Sequence, residues 1–413
     1  MSLSRLFFLL PLLLPLYVVR FQIGPLPTTV LEVIILTLTV AWIVTRKEEG
    51  IRQAWKRSSV WHLPAGLWIT AGAIGVITAW VNGFDPVAAL GLFRAYFVEP
   101  LVVFFIGFDL IRTEEDRDRL WRSFCGVTIL LGIWAGVQML TGWGIPHPWD
   151  AWPGRRATGP FPFPNALALF VVPIVAAAIC RGARRASRTG WQQTDRGARR
   201  APLQGAWVEI ATVIIGIAAI FFAQSDGGLV AVAAAFFVTL LLQKKTRVIA
   251  VALAVLAVIA VFAVAPLRGY VTNTLLLNDW SGRVRKVIWQ ESWTMLTDVT
   301  TPAGIARPIF GAGLASYPAA IAPYHTATWM EIFQYPHNIL LNLWSETGII
   351  GIVAFGWIVT TWIRRGKPDA LPVVAAILVH GLVDVPYFKN DLAVAFWLLI
   401  LITTLYENKK PAH

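Results

Sequence analysis

The sequence predicts an all-α integral membrane protein, a polytopic bundle of about twelve transmembrane helices with a large outer-face loop containing short helices. Three observations carry that expectation. Of 413 residues, 57% are hydrophobic and only 14% charged, with a mean hydropathy of +0.63, far outside the range of a water-soluble globular protein. Apolar runs of spanning length recur along the whole chain, which reads as one integral domain over 1–413. Lys and Arg gather in every second loop between those runs, the pattern of the positive-inside rule.

The first run, Leu6 to Val19, follows Arg5 as a signal peptide would, yet no small-residue cleavage site comes after it, so it reads as a retained first span. The next runs are Thr28 to Thr45, Leu63 to Val81, Phe97 to Ile111, Phe124 to Thr141 and Asn165 to Cys180. The second half supplies Trp207 to Ala223, Leu229 to Gln243, Val248 to Pro266, Gly348 to Ile363, Leu371 to Tyr387 and Leu392 to Tyr406. Cys125 and Cys180 each lie inside an apolar run, where neither a structural disulfide nor a metal cluster is expected.

The net charge of +12 and pI near 10.0 do not point to nucleic acid, because the basic residues sit in short loops between spans. The basic loops centre on Arg46 to Arg57, Arg112 to Arg122, Arg181 to Arg200, Lys244 to Arg247, Arg364 to Lys367 and Lys409 to Lys410. Placing both termini in the cytoplasm accounts for all of them at once. These charges read as solvated topology signals, and the loop from Arg181 to Arg200 as a flexible segment able to lie on anionic headgroups of the bilayer.

On the opposite face two longer loops hold most of the polar chemistry. One runs from Gly142 to Pro164 and contains Arg155 and Arg156; the other, residues 267–336, is too long for a mere connection. In the second, Arg283 to Leu296 reads as an amphipathic helix, with Val284, Ile288, Ser292 and Leu296 on one face, and Gly311, Gly313 and Pro318 mark a turn-rich return. Arginine forks suit phosphate or diphosphate oxygens, and tryptophans and tyrosines offer flat apolar faces. A sugar linked to a lipid through a diphosphate presents both. An interfacial aromatic belt explains most of the 20 tryptophans, but not positive charge on the face that is ordinarily poor in it.

His337 stands where this loop enters a helix, at the water-facing mouth of a span. It reads either as an acid/base meeting a polar substrate or as an interfacial anchor. His380 and Asp384 are four apart on one predicted helix face and read as an intramembrane polar pair, with Arg94 and Glu99 a similar pair at the fourth span.

Tyr335-Pro336-His337-Asn338 followed by Glu346, Gly348 and Gly351 resembles the signature of the O-antigen ligase and polymerase superfamily, membrane glycosyltransferases that act on polyprenyl-diphosphate glycans. Three further stretches resemble motifs of that superfamily in its order. They are Arg156-Ala157-Thr158-Gly159 with Pro164-Asn165, Ser281-Gly282-Arg283 with Trp289, and Phe310-Gly311-Ala312-Gly313. The resemblance covers residues 150 to 390 most firmly.

What the resemblance implies is a GT-C-like bundle in the bacterial cytoplasmic (inner) membrane, with its active site on the periplasmic face. It implies His337 as catalytic base or acceptor-orienting residue and Arg283 as a diphosphate ligand. Arg155, Arg156, Asn165, Arg285, Tyr335, Asn338 and Glu346, in or beside the motifs, become candidate substrate contacts. The implied partners are a polyprenyl-diphosphate-linked glycan donor and a lipid or glycan hydroxyl acceptor. The outer face carries no Asp-x-Asp or paired-carboxylate motif, so the expected transfer is inverting and metal-independent, without a cofactor. One departure stands out. Where relatives often carry a Ser-Arg-Gly turn, this chain reads Ser225-Asp226-Gly227-Gly228, and an aspartate there either repels a diphosphate or pairs with an outer arginine.

A late, large outer loop directly before the His-Asn helix favours a ligase, with the lipid A core as acceptor, over a polymerase that joins repeat units. From a different class, His380 and Asp384 within a many-span bundle suit a proton-coupled transporter or flippase. Against that reading, polar chemistry is concentrated on one side and no internal repeat is evident.

Overall fold

The computed structural model describes residues 3–24, 26–189, 201–300 and 306–405. These are almost wholly helical. α1 (Leu3–Leu13) passes through a 3-10 turn into a hairpin of two short antiparallel strands, β1 (Arg20–Ile23) and β2 (Leu26–Thr29), in register Arg20↔Thr29. The all-α expectation lacks this hairpin, because strands of four residues carry too little periodicity to be read. α2 (Val30–Arg57) follows through a capping box in which Thr29 and Glu32 satisfy each other's amides, and it is broken at Lys47.

α3 (His62–Val81), α4 (Pro86–Phe93), α5 (Glu99–Leu110) and α6 (Glu114–Thr141) complete the first half. α7 (Pro164–Thr189) is buried on every side from Ala166 to Ala178, as a helix apolar all round must be, and packs on α8 (Ala201–Phe222) and α9 (Asp226–Leu242). α10 (Arg247–Ala263) bends by 103° into α11 (Ala265–Leu275), at the N-terminal proline of α11.

The long loop over residues 267–336, read from the sequence as the outer one, holds α12 (Trp280–Thr297), α13 (Arg307–Phe310) and α14 (Tyr317–Ile321). α12 is the amphipathic helix the sequence predicts, with Ile288, Ser292 and Leu296 buried on its inner face. Together with Ala312, Tyr317, Ala320 and Ile321 that face forms a small core of its own. The loop is therefore a packed layer. α15 (Ile339–Gly381) and α16 (Asn390–Thr404) follow, α15 lying against α3, α7, α9 and α16.

Each apolar run read from the sequence overlaps a helix, though the run Leu371 to Tyr387 extends past the end of α15, and among the described residues only five helices are long and apolar enough to cross a membrane unaided. The bent α10–α11 pair makes six if it is one span. Five more apolar helices have 10–17 residues, short of the ~20 that a full hydrocarbon core requires.

Two close approaches fix the outer layer to the bundle. Gly348 turns to φ +68 inside α15, and a Cβ there would lie 2.2 Å from the Ile309 carbonyl oxygen. Gly313, at φ +108, crosses α3 so tightly that a Cβ would meet the Ala79 amide at 2.3 Å. The neighbouring amides are used as well: Ala312 donates to the Ser345 carbonyl at 2.7 Å and Leu314 to the Gly75 carbonyl at 3.0 Å.

The basic loops turn out to be more than solvated charge. Asp109, with no exposure, forms an ion pair with Arg46 at 2.9 Å and accepts Arg112 at 2.7 Å and the Trp42 indole at 3.1 Å. Arg181 pairs with Asp118 at 2.5 Å, Arg185 with Glu209 at 2.8 Å, and Arg184 with Asp369. Of these carboxylates Asp109 and Glu209 are buried, and they hold their arginines in place, since either partner alone would be an uncompensated charge. The Arg181 to Arg200 segment is helical up to Thr189; Arg196, Arg199, Arg200, Lys409 and Lys410 lie outside the described residues.

Candidate active site

His337 occupies the last position before the cap of α15. Asn338 is the N-cap: its Oδ1 accepts the amides of Leu340 and Leu341 at 3.0 and 3.1 Å, and its Nδ2 donates to the Leu382 carbonyl at 3.0 Å. The Asn338 amide is thus committed to joining the two ends of α15. On the other side the Trp289 indole holds the Pro336 carbonyl at 3.0 Å. Clamped between them, His337 takes φ +49, a left-handed conformation that costs energy in a residue with a side chain.

The imidazole is one-fifth exposed, with Nδ1 3.4 Å from Oδ1 of Asp384. Asp384 is buried in the turn after α15; the Val385 amide donates to its Oδ1 at 2.9 Å and Asn165 Nδ2 to its Oδ2 at 3.0 Å. Asn165, at the start of α7, accepts Arg156 Nη2 on its own Oδ1 at 3.2 Å. A continuous polar chain therefore links His337, Asp384, Asn165 and Arg156. Burial opposes the Asp384 charge, but the His337 hydrogen bond and the nearby cationic groups hold its carboxyl well below the usual range.

The predicted pairing of Asp384 with His380 changes accordingly. α15 ends at Gly381, so the four-residue spacing does not place both on one helix face; the Asp384 amide donates to the His380 carbonyl at 3.0 Å, while its carboxylate faces His337. His380 is buried, and its Nδ1 has no hydrogen-bond partner among the described residues.

Of the outer arginines, Arg156 and Arg285 converge on this chain. Arg156 stacks over Trp149 at 5.0 Å and donates to the carbonyls of Ala223 at 3.0 Å and Gln224 at 3.2 Å. Burial lowers its pKa and Arg285 adds to that, whereas Asp226 opposes it. Arg285 donates from Nε to the Val383 carbonyl at 3.0 Å, one residue from Asp384. Neither arginine has a carboxylate within ion-pair distance among the described residues.

Arg283 goes elsewhere. Residues two apart on a helix point in nearly opposite directions, and Arg283 is exposed, lying over Trp280 at 5.8 Å. Arg155 is spent on backbone carbonyls of Met139 at 3.0 Å and Asp150 at 3.4 Å. Asp226 opens α9, exposed, hydrogen-bonded to Tyr270 and near the Arg156 guanidinium. The expected pairing of this aspartate with an outer arginine is thus one of proximity, without a direct contact.

Tyr335 packs its ring 5.1 Å from that of His337. Glu346, nearly fully buried, accepts the Ala315 amide at 2.7 Å. Both also line a cavity of about 870 Å³ bounded by the β1–β2 hairpin, α4 and the segment Phe388 to Asn390. The sequence offered no sign of this cavity, because its wall depends on a hairpin and a turn far apart in the chain. Arg94, on its wall, pairs with Glu99 at 3.2 Å as expected, and with Glu32 at 2.6 Å.

No curated protein matches the chain. A family model described as O-Antigen ligase matches residues 211–356, a stretch that contains Arg283, Arg285, His337, Asn338 and Glu346. Arg156, Asn165 and Asp384 lie beyond it and join the site only through the fold. Over that stretch, on a helical framework with segments apolar enough to span a membrane, the chain is similar to the O-antigen ligase family.

Proposed function

We propose that this membrane enzyme transfers a glycan from a polyprenyl diphosphate to a hydroxyl acceptor by a metal-independent, inverting displacement, as an O-antigen ligase with the lipid A core as acceptor. The observation that carries the reading is the His337–Asp384 contact with two carboxylate-free arginines beside it. Asp384 accepts the Nδ1 proton, which leaves Nε2 of His337 as the basic nitrogen. The acceptor hydroxyl gives its proton to Nε2 as its oxygen bonds to the anomeric carbon. On the opposite face of that carbon the bond to the diphosphate oxygen breaks, and the electron pair leaves with the diphosphate. Arg156 and Arg285 offset the growing negative charge, and Asp384 stabilises the imidazolium.

On this reading the site faces the periplasm and the basic loops face the cytoplasm. The test is mass spectrometry of polyprenyl-linked lipids from cells whose only copy carries His337→Ala. Full-length glycan left on the carrier is the expected result; single repeats would make the protein a polymerase. An unchanged lipid profile, with the variant present in the membrane, would sink the enzymatic reading and favour a transporter. Activity of the purified enzyme retained in EDTA checks the metal independence.

A further inference from the structure

The cavity beside Tyr335 contains polar groups that the proposed chemistry leaves unused. Lys389 lies 3.8 Å over the Phe163 ring; its Nζ is buried and has no hydrogen-bond partner among the described residues. Asn342 is 2% exposed and its Nδ2 likewise donates to none of the described residues. Both line the cavity, with Arg20 on the hairpin side. A buried ammonium and amide without hydrogen-bond acceptors are costly unless something supplies oxygen atoms, so their convergence on one space points to a ligand.

Charge on the wall narrows what that ligand is. Arg94 is consumed by Glu32 and Glu99, and Glu32 also accepts Asn390 at 2.8 Å and Thr28 at 2.7 Å. Arg20 and Lys389 remain as cations, facing the carboxylate of Glu346, which already accepts the Ala315 amide. Asp391 is buried nearby and, with Asp384, acts electrostatically on Lys389, but no hydrogen bond joins either carboxylate to its ammonium among the described residues. Neither Arg156 nor Arg285 borders this space, whereas Tyr335 joins it to His337.

We propose that this cavity is the acceptor subsite, built for a glycan that carries an anionic group, phosphate or carboxylate, held by Arg20, Lys389 and Asn342. The proposal rests on the glycosyl-transfer reading, with the donor diphosphate on the separate pair Arg156 and Arg285. Glu346 and Gln334 on the same wall suit the hydroxyls of the sugar.

The experiment uses the full chain in nanodiscs and a lipid-linked oligosaccharide purified from the host envelope, and measures its binding without donor as well as transfer with donor. Three acceptor preparations are compared: native, phosphatase-treated and carboxyl-reduced. A drop in affinity of about tenfold or more on phosphatase treatment identifies phosphate, and the same drop on reduction identifies carboxylate. Arg20→Gln and Lys389→Gln are expected to weaken acceptor binding and raise acceptor KM about tenfold while leaving donor KM unchanged. Arg20 is exposed, so its variant serves even if Lys389→Gln does not fold. Equal affinity for all three preparations, or unaltered acceptor binding by Arg20→Gln, overturns the subsite. Absence of transfer with glycan binding intact and still sensitive to Arg20→Gln instead overturns the glycosyl-transfer reading and leaves the cavity as an anionic-glycan site without its acceptor role.

Discussion

Nδ1 of His337 and Oδ1 of Asp384 stand 3.4 Å apart across 47 positions of sequence, and Asp384 is held from its other oxygen by Asn165. The carboxylate is thus oriented from two sides before any substrate arrives. Asp384→Asn keeps the shape and removes the charge. Its expected effect is a loss in kcat on the order of 10²–10⁴-fold with donor and acceptor KM nearly unchanged. Steady-state kinetics with each substrate varied in turn checks this; a change confined to KM would assign Asp384 to binding.

Arg283 and Arg285 make a matched pair for testing the diphosphate site. Arg285→Gln removes a cation beside the polar chain and is expected to raise donor KM or lower kcat by about 10-fold to 100-fold, the range of one charge-assisted contact. Arg283→Gln removes an exposed side chain lying over Trp280 and is expected to alter either parameter by less than about threefold. The reverse ranking would mean that the site closes differently around the donor.

Gly348 tests the join between bundle and outer layer. An alanine there meets both a left-handed backbone and the Ile309 carbonyl oxygen, so Gly348→Ala should destabilise by at least about 1–2 kcal/mol. Thermal unfolding in detergent reads it out. An unchanged midpoint would show that α15 straightens without cost.

The outer layer also carries a pH-dependent clasp. His325 Nδ1 lies 3.0 Å from Glu291, whose other oxygen accepts the Thr326 amide at 2.8 Å. The hydrogen bond to Glu291 raises the His325 pKa above 6.5; burial opposes the Glu291 charge, but its bonds to His325 and Thr326 bring it below 4.5. The histidine contribution is therefore complete below pH 6.5 and is lost as pH rises through the raised value. The glutamate contribution is present above pH 4.5 and is lost as pH falls through the lowered one. Amide exchange from Thr326 to Met330, corrected for the intrinsic rate, should be slowest relative to a His325→Gln variant between about pH 4.5 and 6.5. Equal protection in both proteins across that range would count against the clasp.

Much of the site is legible in the chain. The residue types at 156, 165, 283 to 285 and 335 to 338 announce anion binding and proton transfer, because an arginine fork and an imidazole carry that chemistry wherever they stand. Less legible was the role of each. Asn338 reads as a substrate contact but spends its amide on a helix cap, and Arg283 reads as the phosphate ligand while Arg285 reaches the site.

The apolar runs, alternating basic loops and amphipathic α12 follow from the sequence by itself, since each depends on local periodicity and on transfer between water and an apolar phase. Tertiary structure decided the rest. Where α15 stops determines whether Asp384 faces His380 or His337, and the helical rotation of α12 determines which arginine points inward. A cavity walled by β1, α4 and Lys389 exists only once the two ends of the chain meet. Such contacts join residues separated by tens to hundreds of positions, and a local pattern holds no record of a distance fixed by packing.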